Sequence, residues 1–328
     1  MRNARDLDED DVRIRPGRSK SRPRSKDRPA HDTSVTGRVI AVDRGRFTIA
    51  RDDASTPTLY AVKARELGRK GIVVGDAVEL VGDLGGGLDS PARIVRRNER
   101  TSTLRRTADD IDPVERVVVA NATQLAVVTA TTDPEPSIGL IDRAFVAAYD
   151  AGIDPILVIT KTDLRPATAL RALYEPLGVA VFEVANGRAT VSLSRALTDE
   201  ATVFLGHSGV GKSTLVNALV PDAERTTGLV NAVTGKGRHT STNAVSLPLP
   251  AGGWIIDTPG IRSFGLAHVD PSRVIHAFPD LLDGTHDCPR ACSHDEPDCG
   301  LDAWAAGQPP AIVVRIASLR RLLANRGS

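Results

Sequence analysis

The chain has 328 residues, of which 41% are hydrophobic and 25% charged, a balance typical of a globular protein with room for several domains. Its formal net charge of +1 excludes attraction to nucleic acid through total charge, so any such attraction would need local basic patches. No apolar run approaches the roughly 20 residues of a membrane span. The charged N-terminus also lacks the apolar stretch of a secretory signal, so we expect a cytoplasmic protein without membrane association.

Residues 1–33 predict a disordered basic tail. They show no apolar periodicity, and Pro16, Pro23 and Pro29 interrupt a series of arginines and lysines that runs from Arg13 to Arg28. Such a tail is either a solvated segment or an arm that binds phosphate groups, and the sequence leaves both interpretations open.

Short β-rich segments separated by glycine-containing turns occupy residues 34–99. They lie at 37–42, 46–50, 59–62 and 76–81, with no long helix between them. This spacing predicts a small β-barrel. An OB-type barrel is the preferred fold and an SH3-like barrel is the alternative, because periodicity alone does not separate them.

Residues 100–270 alternate between β-branched strands and helices, which predicts an α/β fold with a mainly parallel sheet. The clearest strands are at 117–119, 125–129, 155–159 and 203–205, and the clearest helices at 138–149 and 212–219. From residue 271 to residue 328 the pattern is irregular and closes with a helix from about 312 to 325. We therefore expect a separate C-terminal domain over 271–328.

A complete phosphate-binding motif follows the strand at 203–205. The sequence G-x-x-x-x-G-K-[ST] is matched by Gly206, His207, Ser208, Gly209, Val210, Gly211, Lys212 and Ser213, with Thr214 next in the helix. The glycines allow backbone N–H groups to surround phosphate oxygens. Lys212 would stabilise the charge on the β- and γ-phosphates, and the Ser213 hydroxyl would bind Mg²⁺. The strand before the motif and the helix after it are the context that the motif requires.

The preferred base is indicated by Thr160, Lys161, Thr162 and Asp163, at the end of the strand at 155–159. A carboxylate there can accept hydrogen bonds from both N1–H and the 2-amino group of guanine, a donor pair that adenine lacks. Lys161 can lie along the base. The tetrapeptide resembles the N-K-x-D guanine motif with Thr160 in place of Asn. This favours GTP over the ATP of a P-loop ATPase or kinase, which is the competing interpretation.

A third nucleotide motif follows the apolar strand that begins at Trp254. Asp257 would hold Mg²⁺ through water, and Gly260 would turn its N–H toward the γ-phosphate. In ordinary GTPases the guanine motif follows these elements, whereas here 160–163 precedes both 206–213 and 257–260. The motif order is therefore circularly permuted, which a fold with neighbouring chain ends tolerates.

All three cysteines of the chain lie within one short segment near the C-terminus. Together with one histidine they form a set suited to a structural Zn²⁺ ion: Cys288, Cys292, His294 and Cys299. His286 is a competing fourth ligand, although His294 is preferred.

Taken together, these motifs resemble those of the RsgA-type GTPases of small ribosomal subunit biogenesis, over about residues 34–326. The resemblance implies an OB domain at 34–99, a permuted GTPase domain at 100–270 and a zinc-binding domain at 271–328. It also implies that 237–242 is switch I, where His239 orients the attacking water and a hydroxyl of Thr240, Ser241 or Thr242 completes the Mg²⁺ shell. The sequence does not decide which hydroxyl does so.

The resemblance further implies a partner and a reaction cycle. We expect a monomeric GTPase that binds GTP and GDP, binds the small (30S) ribosomal subunit and its rRNA, assists late maturation and leaves after hydrolysis. The non-enzymatic alternative is an RNA-binding adaptor in which GTP is only a structural ligand.

Overall fold

The computed structural model describes residues 34–51, 58–68, 71–85, 90–107, 115–221, 244–258 and 274–324. The chain divides into two compact units, residues 1–100 and residues 101–328. The predicted basic tail at 1–33 lies outside the described residues, so it stays a prediction. Among the described helices, none combines the length and the apolar character that a bilayer-spanning segment requires.

The first unit contains five strands that close into a barrel. They are β1 (Val35–Asp43), β2 (Arg46–Arg51), β3 (Thr58–Lys63), β4 (Ala77–Val81) and β5 (Ala92–Arg97), in the order β1-β2-β3-β5-β4. The first strand also pairs with β4, and β3 runs parallel to β5. This connectivity is that of an OB-type barrel, so the preferred sequence prediction is confirmed.

A bulge allows β1 to pair with two strands, β4 and β2, and so to close the barrel. Its first residues pair with β4 and its later residues with β2, with a register shift between Val39 and Ala41. Such a shift bends a strand and increases its twist. Alternate side chains then point inward and fill the barrel with Val39, Phe47, Ile49, Leu59, Ala61, Ile72, Val78, Leu80, Ala92 and Ile94.

The second unit begins with a hairpin of β6 (Thr103–Thr107) and β7 (Glu115–Ala120) and continues as an α/β sheet. Strands β8 (Gln124–Ala130), β9 (Asp154–Thr160), β10 (Ala180–Val184), β11 (Ala201–Leu205), β12 (Val245–Pro248) and β13 (Trp254–Asp257) lie in the order β10-β9-β8-β11-β13-β12. Neighbouring strands are parallel except for β12 and β13. Helices α1 (Ile138–Asp150), α2 (Thr168–Tyr174), α3 (Val191–Ala196) and α4 (Lys212–Leu219) separate them.

The strand order reverses between β8 and β11. From β8 the chain continues outward through β9 and β10, and it then returns to place β11 on the other side of β8. Open α/β sheets bind ligands outside the carboxyl ends of the strands at such a reversal. The loops that follow β8 and β11 are therefore the expected walls of a ligand site.

The C-terminal segment packs on helices α1 and α2 of the same unit. It comprises short 3-10 turns, helix α5 (Gly300–Ala305) and helix α6 (Pro310–Ala324). On α6, Arg321 binds the fully buried Asp142 of α1, and Arg315 donates to the carbonyl of Pro176 just after α2. Phe278 packs edge-on against Tyr149 of α1. The helices that follow the loops after β8 and β9 are thus fixed to the C-terminal segment.

Candidate nucleotide and zinc sites

The phosphate-binding motif forms the loop between β11 and α4, as its sequence predicts. All five residues of β11 are buried, and Lys212 is the first residue of α4. Gly209 and Gly211 have φ angles of 84° and 87°, in the left-handed region that favours glycine. Gly206 is required for another reason, since a Cβ there would lie 2.4 Å from the carbonyl oxygen of Val128 in β8. His207, Ser208 and Ser213 lie in the same loop or at its helix end.

The predicted guanine motif lies at the carboxyl end of β9. Thr160 is the last residue of this strand, and Lys161 and Thr162 follow it. Asp163 is exposed, and its Oδ1 accepts a hydrogen bond of 2.9 Å from the backbone N–H of Asn186. The carboxylate is therefore oriented by the loop after β10 while it remains accessible to a ligand.

The structure brings the two motifs together at one edge of the sheet. The Thr160 hydroxyl donates to the carbonyl oxygen of Val210 at 2.5 Å. A Cβ on Gly187 would lie 2.6 Å from Cγ2 of Thr214, so the loop that orients Asp163 also contacts the start of α4. Segments that are some 50 residues apart in the sequence are thus direct neighbours, as a shared ligand requires.

Two loops of this edge were not identified from the sequence. One is the loop after β10, where an Asn186-Gly187 pair at the end of a strand is a turn signal that could have marked it. The other is the loop after β8, in which the Lys161 ammonium contacts the carbonyl oxygen of Asp133, and Thr131 Oγ1 donates to the Lys161 carbonyl at 2.7 Å. This second loop also faces the phosphate loop, because a Cβ on Gly209 would lie 3.6 Å from Pro134.

Arg165 fastens the loop after β8 to the guanine motif. Its guanidinium binds both carboxylate oxygens of Glu135, at 2.8 and 2.9 Å, and also donates to the Thr131 carbonyl at 2.9 Å and to Thr132 Oγ1 at 3.2 Å. The hydrogen bond from Arg165 lowers the pKa of the Glu135 carboxyl below its usual value, so this carboxyl stays ionised at neutral pH. The pair is exposed, which limits its contribution to stability.

The predicted zinc ligands also come together. One ligand atom from each of Cys288, Cys292, His294 and Cys299 lies within 4.8 Å of the others. The Cys288 sulfur is 3.8 Å from that of Cys299 and 3.7 Å from Nδ1 of His294, and Cys299 is 3.9 Å from the same nitrogen. Tetrahedral zinc with ligands at about 2.0–2.3 Å would separate ligand atoms by about 3.5–3.8 Å, so the separations among Cys288, His294 and Cys299 fit the ion. Among the described residues, the group contains His294 and not His286.

In the absence of a metal the thiols hold their protons, so Zn²⁺ would have to displace them on binding. Burial, followed by a hydrogen bond to Glu296, raises the pKa of the Cys292 thiol to about 12. Burial lowers the pKa of His294, which favours the neutral imidazole that binds zinc. Arg320 of α6 donates to the His294 carbonyl at 2.8 Å and binds Asp302, so this ligand loop is fixed to helix α6.

Comparison with known proteins identifies the family. The family model described as RsgA GTPase matches residues 97–267, more than half of the chain. The chain belongs to the RsgA GTPase family. It is therefore a GTP hydrolase, and the family predicted from the motifs is confirmed.

Named relatives and solved structures agree with this membership. The chain is 41% identical over 242 residues to "Small ribosomal subunit biogenesis GTPase RsgA" of Pseudomonas aeruginosa (strain LESB58). The aligned region covers 71% of the chain and 70% of that relative. It is 40% identical over 265 residues to the protein of the same name from Azotobacter vinelandii (strain DJ / ATCC BAA-1303), with 77% and 75% covered.

Among solved structures, YjeQ from Thermotoga maritima matches with a TM-score of 0.63 and 26% identity, covering 88% of the chain and 99% of that structure. YloQ, described as a circularly permuted GTPase, matches with a TM-score of 0.62 and 22% identity, covering 90% and 96%, and this match shows the fold alone. The permuted GTPase fold predicted from the motif order is thus confirmed.

Only some of the residues expected to bind Mg²⁺ and the γ-phosphate lie within the described part of the chain. Asp257 ends β13, beside β11, and its carboxylate forms an ion pair with Lys212. Thr258 is buried and donates to the Phe204 carbonyl at 2.9 Å. The remaining predicted residues lie outside the described residues and stay predictions: His239, Thr240, Ser241, Thr242 and Gly260.

Proposed function

We propose that this GTPase holds one GTP across the carboxyl edge of its sheet, with the base at Asp163 and the phosphates at 206–214. The observation that supports this assignment is the direct hydrogen bond from Thr160 to Val210, because it makes the two motifs neighbours. The exposed Asp163 carboxylate would select guanine through its two donors. Lys212 would stabilise charge on the β- and γ-phosphates.

Two metal ions complete the proposal. The Ser213 hydroxyl and Asp257 would hold Mg²⁺, and the proximity of Asp257 to Lys212 supports their common role at the phosphates. When bound, Mg²⁺ supplies positive charge to the phosphate oxygens. Cys288, Cys292, His294 and Cys299 would hold one structural Zn²⁺, supported by ligand separations that match a tetrahedral ion.

The proposed partner is the small ribosomal subunit, the assembly in the names of the similar proteins. The barrel supports contact with rRNA because several of its arginines are exposed despite the near-neutral total charge: Arg44, Arg46, Arg65, Arg93 and Arg96. The protein would act as a cytoplasmic monomer, bind the subunit in its GTP state during late maturation and leave after hydrolysis. Its domains would be 34–99, 100–270 and 271–328.

The test is hydrolysis of radiolabelled GTP with and without purified small subunits, together with co-sedimentation in a GTP analogue, in GDP and without nucleotide. We expect subunits to accelerate hydrolysis several-fold and the analogue to give the most co-sedimentation. Unchanged hydrolysis together with nucleotide-independent sedimentation would contradict the proposal. Intact GTP after a single-turnover reaction would instead favour the adaptor, and equal competition by ATP an ATPase or kinase.

A variant of the proposed switch tests the catalytic assignment. His239→Ala should lose hydrolysis and keep GTP binding, because a residue that orients water contributes to the reaction and not to the affinity for the nucleotide. His286→Ala, which replaces another histidine away from the nucleotide motifs, is the matched control. Equal losses of binding and hydrolysis in His239→Ala would refute the assigned role.

A further inference from the structure

Arg320 of helix α6 contacts two of the proposed zinc ligands from outside the segment that contains them. Its Nε donates to the carbonyl oxygen of His294 at 2.8 Å, and its terminal nitrogens bind the two carboxylate oxygens of Asp302 at 2.7 and 2.9 Å. The hydrogen bond with Asp302, and after it a hydrogen bond with the Cys299 sulfur, raise the pKa of this guanidinium. Arg320 therefore contacts one ligand through its backbone and another through its side chain.

The backbone of His294 is in a conformation that needs support. Its φ angle of 66° lies in the left-handed region, which is unfavourable for a residue with a Cβ and persists only where surrounding contacts determine it. The His294 N–H donates to the Cys292 sulfur at 3.3 Å, and Arg320 holds the His294 carbonyl on the other side of the residue. Without the second contact, the backbone could relax and carry the imidazole away from the sulfur atoms of Cys288 and Cys299.

The proposed ion and its ligands carry an excess of negative charge. Three thiolates (−3) and Zn²⁺ (+2) leave −1, and Glu296 adds a carboxylate oxygen 3.1 Å from the Cys292 sulfur. The ligands Cys292 and Cys299 are only 6% and 4% exposed, so water screens this charge poorly. Arg320 supplies a positive charge on the Cys299 side. The side chain of its partner Asp302 is 55% exposed, so the charge of that carboxylate is better screened.

Helix α6 gives Arg320 a fixed base. The next residue, Arg321, binds the buried Asp142 of α1. The buried apolar face of the helix consists of Ile316, Leu319, Leu322 and Leu323. The arginine that reaches the zinc ligands therefore projects from a helix that is held by α1, and not from the ligand segment itself.

We propose that Arg320 is a positioning residue for the zinc site: it holds the carbonyl of His294 and places a positive charge beside Cys299. The inference rests on the proposed zinc site and deepens it. It adds to the four ligands a residue that the pattern of cysteines and histidines does not contain, because Arg320 lies on a separate helix.

The experiment compares wild type, Arg320→Met, Arg320→Lys and the matched control Arg315→Met in the full-length chain. Methionine keeps an aliphatic side chain without charge or donors, whereas lysine keeps the charge. Arg315 lies on the same helix and binds Asp280 and the Pro176 carbonyl, so its replacement loosens α6 without removing a contact to a zinc ligand. Zn²⁺ affinity is measured by competition with a chromophoric chelator. The thiolate-to-metal charge-transfer band is measured by absorption spectroscopy of the Co²⁺-loaded protein.

We expect Arg320→Met to bind Zn²⁺ about 10- to 100-fold more weakly, the usual effect of removing a residue that orients metal ligands. Its charge-transfer band should move to longer wavelength, because a thiolate that loses a neighbouring positive charge gives up electron density more readily. Arg320→Lys should keep the band near its wild-type position and bind Zn²⁺ more strongly than Arg320→Met. Arg315→Met should bind Zn²⁺ within about twofold of wild type, since it shares no partner with the ligands.

Four results would overturn the inference. Two concern affinity: wild-type Zn²⁺ affinity in Arg320→Met, or an equal loss in Arg315→Met, which would indicate a general loosening of α6. The third is a charge-transfer band that does not move in Arg320→Met or that Arg320→Lys does not restore. The fourth needs no variant to fold: in zinc-loaded wild type the Arg320 Nε–H, followed by ¹⁵N NMR, should exchange slowly with water, and rapid exchange would show that it does not bind the His294 carbonyl. A wild type that binds neither Zn²⁺ nor Co²⁺ would refute the proposed zinc site itself, so the two failures are distinguishable.

Discussion

The ion pair between Arg321 and Asp142 should be a main support of the C-terminal segment on the GTPase fold. Asp142 is fully buried, and Arg321 Nη1 lies 2.6 Å from each of its carboxylate oxygens. The Tyr174 hydroxyl donates to the same carboxylate at 2.9 Å. Burial and the neighbouring Asp142 raise the pKa of Tyr174, so its hydroxyl remains a proton donor at neutral pH.

Replacing Arg321 by Met keeps the aliphatic part of the side chain and removes the charge. A buried carboxylate that loses its charged partner destabilises a protein by about 3–5 kcal/mol. The Tyr174 hydrogen bond remains, so the lower part of this range is expected. With about 2–4 °C per kcal/mol for a unit of this size, the melting temperature should fall by about 6–12 °C.

The assay is thermal and urea unfolding followed by circular dichroism. The matched control is the double variant Asp142→Leu with Arg321→Met, which removes both charges and should recover much of the loss, because no buried charge is left unpaired. A loss below about 1 kcal/mol in Arg321→Met, or a double variant less stable than the single one, would refute the reasoning.

Three further predictions concern the zinc ligands, the phosphate loop and the Arg165–Glu135 pair that joins the loop after β8 to the guanine motif. Cys299→Ser should reduce bound zinc, measured by metal analysis, and zinc affinity should fall with decreasing pH because protons compete for the thiols. Gly206→Ala should weaken GTP binding about tenfold or more, measured with a fluorescent analogue, because its Cβ would lie 2.4 Å from the Val128 carbonyl oxygen. Arg165→Gln should accelerate GDP release, measured by stopped flow, while the stability of the protein should change little because the pair with Glu135 is exposed.

Each of these predictions has a contrary result, and the last two have a comparison variant. Zinc content that is unchanged in Cys299→Ser, or affinity that does not vary with pH, would contradict the ligand set. Gly139→Ala, where an added Cβ would meet only the end of a flexible arginine at 3.4 Å, should bind GTP normally. Equal losses in the two glycine variants would argue against a specific collision. Glu135→Gln should release GDP as fast as Arg165→Gln. Unchanged release in both variants would show that the Arg165–Glu135 pair does not retain the nucleotide.

The sequence predicts the parts of this fold that short-range patterns encode. The phosphate loop, strand β9 and helix α4 lie where the motifs and periodicity place them, because glycine positions and apolar spacing are local properties. The choice between OB and SH3-like barrels is different. It depends on β3 pairing with β5 and on β1 pairing with β4, and these contacts join distant segments. The arginine-rich strand β5 was also not singled out, since three of its six residues are charged.

Tertiary contacts also decide which loops line the nucleotide site. Nothing in the sequence around Asp133 or Asn186 resembles a nucleotide motif. The two loops reach the site because β8 and β10 flank β9, which places their carboxyl ends beside the guanine motif. Similarly, the hydrogen bond from Thr160 to the Val210 carbonyl joins two distant segments, so it is not contained in the tetrapeptide.

The most direct test of a single guanine nucleotide held by both motifs is a competition between GTP and XTP in wild type and Asp163→Asn. An amide at this position would lose the acceptor pair for guanine and gain a donor for the 2-oxo group of xanthine. Wild type should prefer GTP and Asp163→Asn should prefer XTP, and adding Gly206→Ala should weaken the binding of both nucleotides while leaving each preference unchanged. Retained GTP preference in Asp163→Asn would contradict the placement of the base at this carboxylate.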